Sequence, residues 1–161
     1  MSENISGPPP ALMERLSYLL KRTSALLEAT IEPGLARLGV SGREFGVLTL
    51  LEAEGPASQQ HLASRIGVDR TTMVALIDAL EEKRLVNRRR DPSNRRAYLL
   101  EVTAAGRKRL RDARRAVELA EREALAPLSA AESVAFTRAL QRVVQTGAIE
   151  SSEGPTTTAT S

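Results

Sequence analysis

Apolar residues at the start of the chain recur every three or four positions, which is the spacing of one face of an amphipathic helix. The stripe consists of Leu12, Leu16, Leu19, Leu20, Leu26, Leu27 and Ile31. Pro33 and Gly34 are expected to kink or interrupt this helix, and Gly39 to end it. The pattern therefore predicts a long first helix from Ala11 onward.

The next helix is marked by its ends. Ser41 and Glu44 have the three-residue spacing at which a cap and the third helical residue satisfy each other's free amides. Gly55-Pro56 ends this helix. Its buried side is expected to hold Phe45, Leu48 and either Leu50 or Leu51.

Two short helices with a tight turn between them follow. Ser58 and Asp69 are the predicted caps, and Gly67 supplies the turn. The apolar faces are predicted to be Leu62, Ala63 and Ile66 on the first of these helices and Met73, Val74, Ile77 and Leu80 on the second.

After Lys83 the period changes from helical to alternating. Leu85-Val86 opens a strand, residues 91–94 (DPSN) have turn chemistry, and residues 97–102 return as a second strand. Thr103 then caps a long charged helix that Pro127 breaks, and Ser129 with Glu132 repeats the capping pattern for a last helix.

This order of elements is that of a winged helix-turn-helix. The predicted fold is mainly α with a small β-hairpin wing, in which residues 41–102 form the DNA-binding lobe. The helices over 11–38 and 103–146 carry more apolar surface than one lobe can bury, which predicts a helical dimerisation region. Residues 1–10 and 147–161 are polar or proline-rich and are expected to be disordered.

Positive charge is concentrated on the predicted wing. The chain carries a net charge of +3, yet seven of the fourteen residues from Lys83 to Arg96 are basic and only Asp91 is acidic. Such a stripe suits a polyanion. The alternative is a solvated charged surface, but its place directly after a helix-turn-helix favours DNA.

Several function classes are disfavoured by composition. The chain has no cysteine and one histidine, His61, so it offers no thiol chemistry, no metal set and no evident catalytic pair, and we expect neither an enzyme nor a cofactor. His61 is interpreted as a surface or first-turn residue, with a phosphate contact as the alternative. No signal peptide or membrane span is evident, which predicts a cytoplasmic protein.

The second helix of a helix-turn-helix enters the major groove by its N-terminal end. Arg70, Thr71 and Thr72 occupy that end and can bond base edges or phosphates. The alternative interpretation is an ordinary first turn of a surface helix. Asp69, directly before them, is interpreted primarily as the N-cap of this helix rather than as a DNA contact.

The predicted wing adds further candidate contacts. Strand alternation places Arg88 and Arg90 on one face and Arg89 on the other. The remaining candidates, at the tip, are Asn94, Arg95 and Arg96. A tip arginine suits a narrow minor groove, where negative potential is greatest, although one arginine could instead pair with Asp91 and stiffen the hairpin.

With these residues assembled, the chain resembles the MarR family of bacterial transcriptional regulators over residues 11–146. The resemblance is strongest in LASRIGVDRTTMVALIDALEEKRLVNRRRDPSNRRAYLLEVTAAGRKRL. It implies a homodimer that reads a pseudo-palindrome in double-stranded DNA, with recognition contacts at Arg70, Thr71 and Thr72 and wing contacts at Arg95 and Arg96. It also implies that a small aromatic or organic acid binds between the dimerisation helices and the lobe and releases the DNA.

Two positions depart from the family pattern. Asn94 stands where members often have aspartate, which leaves at best a neutral hydrogen bond to Arg96. Arg84 stands where the recognition helix commonly ends at glycine, at a cost of roughly 1 kcal/mol if the left-handed conformation is kept.

The leading hypothesis is a ligand-responsive repressor, and the alternative is an architectural or constitutive DNA-binding protein without an effector. The chain contains only two tyrosines, two phenylalanines and no tryptophan, so an aromatic effector would find few stacking partners.

Overall fold

The computed structural model of the protein describes residues 8–94 and 97–150, the last four by their backbone alone. Within these ranges the chain forms seven helices and one antiparallel hairpin. The elements are α1 (Pro10–Met13), α2 (Leu16–Arg37), α3 (Gly42–Glu54), α4 (Gln59–Ile66), α5 (Arg70–Glu82), β1 (Val86–Arg90), β2 (Tyr98–Val102), α6 (Ala104–Ala124) and α7 (Ala130–Glu150). The mainly α fold with a small hairpin is thereby confirmed.

Helix α2 differs from the prediction at Pro33-Gly34 but ends as predicted, since Leu38 is its C-cap and Gly39 follows with a left-handed φ of 68°. The helix continues through Pro33 to Arg37, so the predicted interruption is wrong. Pro33 and Ala29 are both exposed, so the carbonyl that loses its intrahelical donor lies on the solvent side of the helix. The actual break falls earlier, at Glu14 and Arg15, where the sequence carries no glycine or proline signal.

The caps of the central lobe are those predicted. The Ser41 amide donates to Glu44 Oε2 over 2.7 Å, and the Glu44 amide donates to Ser41 Oγ over 3.3 Å. Ser58 Oγ accepts from the His61 amide at 3.2 Å, and Gly67 has a left-handed φ of 76°. These local features fix where α3 begins and where α4 begins and ends.

The core lies where α3, α4 and α5 meet the hairpin, α2 and α6. Its fully buried side chains include Leu35, Leu48, Leu62, Met73, Ile77, Leu80, Leu100 and Leu110. Val74 does not join them. It is 37% exposed, so its predicted place on the apolar face of α5 is wrong.

The hairpin register places Val86 opposite Val102, Arg88 opposite Leu100 and Arg90 opposite Tyr98. Residues directly opposite each other share a face of the hairpin. Arg88 and Arg90 therefore lie on the face whose inner end is buried in the core, and Arg89 lies on the other face, as predicted. A bridge between Ala57 and Leu100 ties β2 to the segment before α4.

Helix α6 begins directly behind the hairpin. Thr103 Oγ1 accepts from the Gly106 amide at 2.9 Å, which confirms the predicted cap. A Cβ atom at Gly106 would overlap the carbonyl oxygen of Leu85 and lie 2.7 Å from Cγ1 of Val102. Only glycine therefore lets α6 approach the base of the hairpin this closely.

Residues up to Ala124 and residues from Leu125 onward form two compact units. In the second unit, the Ser129 amide donates to Glu132 Oε2 over 2.8 Å, as the capping pattern predicted. Helix α7 continues to Glu150, past the predicted domain end at 146, and Val134, Val143 and Val144 are exposed on it. None of the helices in the described ranges is long and apolar enough to cross a membrane.

Candidate DNA interface

The first turn of α5 is held by its cap. Asp69 Oδ1 accepts from the Thr72 amide at 2.9 Å, and Asp69 Oδ2 accepts from the Thr72 hydroxyl at 2.6 Å. These two bonds lower the pKa of Asp69 below its ordinary value of 3.8. The proton of the Thr72 hydroxyl is thus used within the cap, whereas Arg70 and Thr71 are exposed beside it.

A groove of about 540 Å³ runs between the start of α4 and the first two turns of α5. It is lined by Ser58, Gln59, Gln60, Ala63, Arg70, Met73 and Val74. The sequence reasoning did not single out Gln59 and Gln60. The available signal was a pair of amide side chains in the first turn of the helix before the recognition helix.

The guanidinium of Arg88 connects the hairpin to α5. Its Nε donates to Glu81 Oε2 over 2.7 Å, and its Nη2 donates to Asp78 Oδ1 over 2.8 Å. Sequence reasoning did not assign Asp78 or Glu81 any role. Their spacing of three residues puts both carboxylates on one side of α5, and this is the signal that could have found them.

Two further arginines of β1 contact β2. Nε of Arg89 lies 3.1 Å from Glu101 Oε2 on the outer face. The guanidinium carbon of Arg90 lies 5.6 Å from the centre of the Tyr98 ring, within reach of a cation–π contact. Tyr98 is half exposed and was missed as part of this surface.

The turn of the wing is organised by Asp91. Asp91 Oδ1 accepts from the Ser93 amide at 2.8 Å and from the Ser93 hydroxyl at 2.7 Å. These bonds, with a smaller effect of the Arg89 charge, lower the pKa of Asp91. Asn94 continues the turn by donating its amide to the carbonyl of Asp91 over 3.2 Å. Arg95 and Arg96, the two predicted tip contacts, lie outside the described residues.

His61 lies exposed in the first turn of α4, as predicted, and joins α4 to α3. Its Nε2 lies 2.6 Å from Glu54 Oε2, and Arg65 Nη2 lies 2.6 Å from Glu54 Oε1. These two partners lower the pKa of Glu54. Within residues 8–94 and 97–150, no group of three metal-ligating side chains comes together.

Comparisons with known proteins agree with this geometry. The MarR family model matches residues 40–98. The repressor Mb2911 of Mycobacterium bovis is 30% identical over 128 residues, which cover 80% of this chain and 92% of that protein. The regulator YdgJ of Bacillus subtilis is 33% identical over 94 residues, 58% of this chain, and the chain spans only 57% of its length.

Among solved structures, the repressor CouR bound to a 23-mer DNA duplex matches with a TM-score of 0.78 and 30% identity, over 86% of this chain and 99% of that one. CouR of Rhodococcus jostii RHA1 bound to p-coumaroyl-CoA matches with a TM-score of 0.72 and 29% identity, over 84% and 95%. The chain has a helix-turn-helix followed by an arginine-rich hairpin, and it matches a repressor over nine tenths of that repressor's length. This chain therefore belongs to the MarR family.

Proposed function

We propose that this protein is a homodimeric, sequence-specific repressor that binds a pseudo-palindromic operator and is released from it by a small organic acid or its thioester. The observation that carries the proposal is the pairing of a capped recognition helix, α5, with a basic wing, residues 86–102, in one lobe. A helix end suits the major groove, and a basic hairpin suits the phosphates and minor groove beside it.

In this proposal the predicted contacts divide by role. Arg70 and Thr71 are exposed and read base edges, while Thr72 orients the Asp69 cap and offers its methyl group and remaining lone pairs to the DNA. The wing contacts are Arg90, Asn94, Arg95 and Arg96, which bind phosphates or enter the minor groove.

Exposed apolar side chains support the homodimer. Leu16 is 70% exposed and Leu26 is 54% exposed on α2, and Met13 on α1 is 46% exposed. Complete burial of a fully exposed leucine or methionine contributes roughly 1.5–3 kcal/mol, and each of these side chains would gain the fraction that corresponds to its exposure. The helices around the lobe therefore have a reason to associate with a second copy.

The effector is proposed from the relatives rather than from a defined cavity. CouR has been solved with p-coumaroyl-CoA, and this chain matches that structure along most of its length. We therefore assign the effector to small aromatic or organic acids and their CoA thioesters. The scarcity of aromatic residues favours the second candidate, an architectural DNA-binding protein without an effector.

Selection from randomised duplexes at two salt concentrations tests the DNA half of the proposal. We expect an enriched inverted repeat whose half-sites are about one helical turn apart. Strongly salt-dependent binding without an enriched motif would instead support the architectural candidate, and an absence of binding would exclude both.

The proposed release of the operator by an effector is tested by a separate measurement. Titration of the protein–operator complex with p-coumarate and with p-coumaroyl-CoA is expected to release DNA, and the same ligand should raise the melting temperature of the free protein by mass action. Free CoA serves as the control. If none of a panel of acids and thioesters does either, the protein is a constitutive binder.

A further inference from the structure

The Arg88 bridge, defined here as Arg88 with Asp78 and Glu81, joins β1 to the recognition helix. Arg88 uses two different nitrogens for two carboxylates, with N–O distances of 2.7 and 2.8 Å. A planar guanidinium can hold two acceptors in a fixed arrangement, which a lysine ammonium cannot. The contact therefore fixes an orientation as well as a distance.

The charges of the Arg88 bridge argue against a phosphate contact. One guanidinium faces two carboxylates, so the cluster carries a net charge of −1. The Arg88 side chain is 37% exposed and the Glu81 side chain 29%. A DNA phosphate that approached the remaining N–H donors of Arg88 would lie beside both carboxylates, and both would repel it.

Arg88 lies at a position along the hairpin where the backbone bonds to α5 and α6 no longer hold the wing. The base of the hairpin is held by the backbone, because the Leu85 amide donates to the Leu80 carbonyl over 2.9 Å and the Thr103 amide to the Leu85 carbonyl over 3.0 Å. Arg88 lies three residues farther out, between this base and the tip. Its two ion pairs link the wing to α5 at this intermediate level.

We propose that Arg88 is a positioning residue, which fixes the angle between the wing and the recognition helix so that both reach their grooves together. This inference rests on the proposed DNA-binding function and revises the predicted role of Arg88, which was a direct DNA contact. Asp78 and Glu81 are then required for tight operator binding, although they add negative charge to a DNA-binding surface.

The free protein provides the first test, which does not depend on DNA. Hydrogen exchange is measured at the amides of residues 86–90 and 98–102 in Arg88→Met, Arg88→Lys and the double variant Asp78→Asn/Glu81→Gln. We expect exchange in the wing to be about tenfold faster than in the wild type, with the exchange of α3 unchanged. Unchanged wing exchange in all three variants would overturn the proposal.

Operator binding provides the second test, using the duplex that the wild-type protein selects. We expect Arg88→Lys to weaken binding as much as Arg88→Met, by about tenfold, and the double acid variant to weaken it similarly. The matched control is Glu82→Gln, which removes a carboxylate from an exposed neighbouring position and is expected to bind as tightly as the wild type or more so.

The outcomes separate the two claims. Wild-type affinity in Arg88→Lys would identify a simple phosphate contact and overturn the positioning role. So would an increase in affinity when Asp78 and Glu81 are neutralised. If the wild-type protein selects no duplex, the proposed function fails, and wing exchange still decides whether the Arg88 bridge holds the wing.

Discussion

Lys83 Nζ lies 2.6 Å from Glu44 Oε1, which joins the end of α5 to the first turn of α3. The two partners differ in burial, since the Glu44 side chain is 5% exposed and that of Lys83 is 38% exposed. Glu44 also accepts a hydrogen bond from the Ser41 amide. One carboxylate thus caps one helix and anchors another.

This asymmetry predicts unequal costs for the two halves of the pair. Lys83→Met leaves a buried carboxylate without its counter-charge and should lower the free energy of unfolding by about 2 kcal/mol. Glu44→Gln should cost only about 1 kcal/mol, because the amide oxygen still accepts from Ser41 and Lys83 can turn to water. Urea denaturation measures both, with Lys108→Met, at an exposed position of α6, as the neutral control. Equal costs, or a larger cost for Glu44→Gln, would contradict this account.

Gly106 is predicted to tolerate no side chain. Gly106→Ala places a methyl group against the Leu85 carbonyl and the Val102 side chain, so α6 or the hairpin must shift. We expect a loss of about 3 kcal/mol in unfolding free energy, the upper part of the range for overpacking. The control is Gly42→Ala, where the nearest atom to the new Cβ is 4.0 Å away. That variant should be neutral or slightly stabilising, and an equal loss in both would show that packing at Gly106 is not the cause.

Arg84 has a φ of 57°, so the recognition helix ends in the left-handed conformation that the family pattern assigns to glycine. Arg84→Gly should therefore raise the free energy of unfolding by about 1 kcal/mol, since glycine adopts this conformation without strain. Arg84→Ala keeps a Cβ atom and should change little. Thermal and urea unfolding of both variants would decide, and a gain in Arg84→Ala equal to that in Arg84→Gly would point to charge rather than to backbone strain.

The acid sensitivity of the recognition helix follows from Asp69. Its folded-state pKa is lowered, chiefly by the hydrogen bond from the Thr72 hydroxyl, below the ordinary value of 3.8. The ionised cap therefore stabilises the fold above that ordinary value, and its contribution is lost as pH falls through the lower folded pKa. A carboxyl NMR titration should find this pKa below 3.8 and should find it nearer 3.8 in Thr72→Val. Thr71→Val, on the same exposed turn, is the control and should leave the titration unchanged.

The sequence alone predicted the features that depend on hydrogen bonds between residues close together in the chain. The caps at Ser41, Ser58, Asp69 and Thr103 each join residues three apart, so the residue types alone specify them. The change of period after Lys83 likewise located the hairpin, because alternation over one strand is enough to mark it.

Features that depend on distant parts of the chain were not predicted. The two carboxylates that hold Arg88 lie seven and ten residues away on another element, so strand alternation gave its face and not its partners. The same is true of Gly106, whose neighbour Leu85 belongs to the hairpin, and of Pro33, which the helix accommodates on its exposed side. Long-range packing decides the partners of Arg88 and the space at Gly106, whereas at Pro33 the position on the exposed side of the helix is decisive.

The proposed base contacts of α5 and the proposed phosphate contacts of the wing should respond differently to salt. Thr71→Ala should cost about 1–3 kcal/mol on the selected operator, relax the preference at one base pair and leave the salt slope unchanged. Arg96→Ala should weaken binding to all duplexes and lower the slope of log K against log salt by roughly one unit. Arg111→Ala, an exposed position on α6, is the control for lost positive charge. Fluorescence anisotropy over a salt series measures all three, and if Thr71→Ala and Arg96→Ala both bind like the control, α5 and the wing tip do not form the DNA-binding surface.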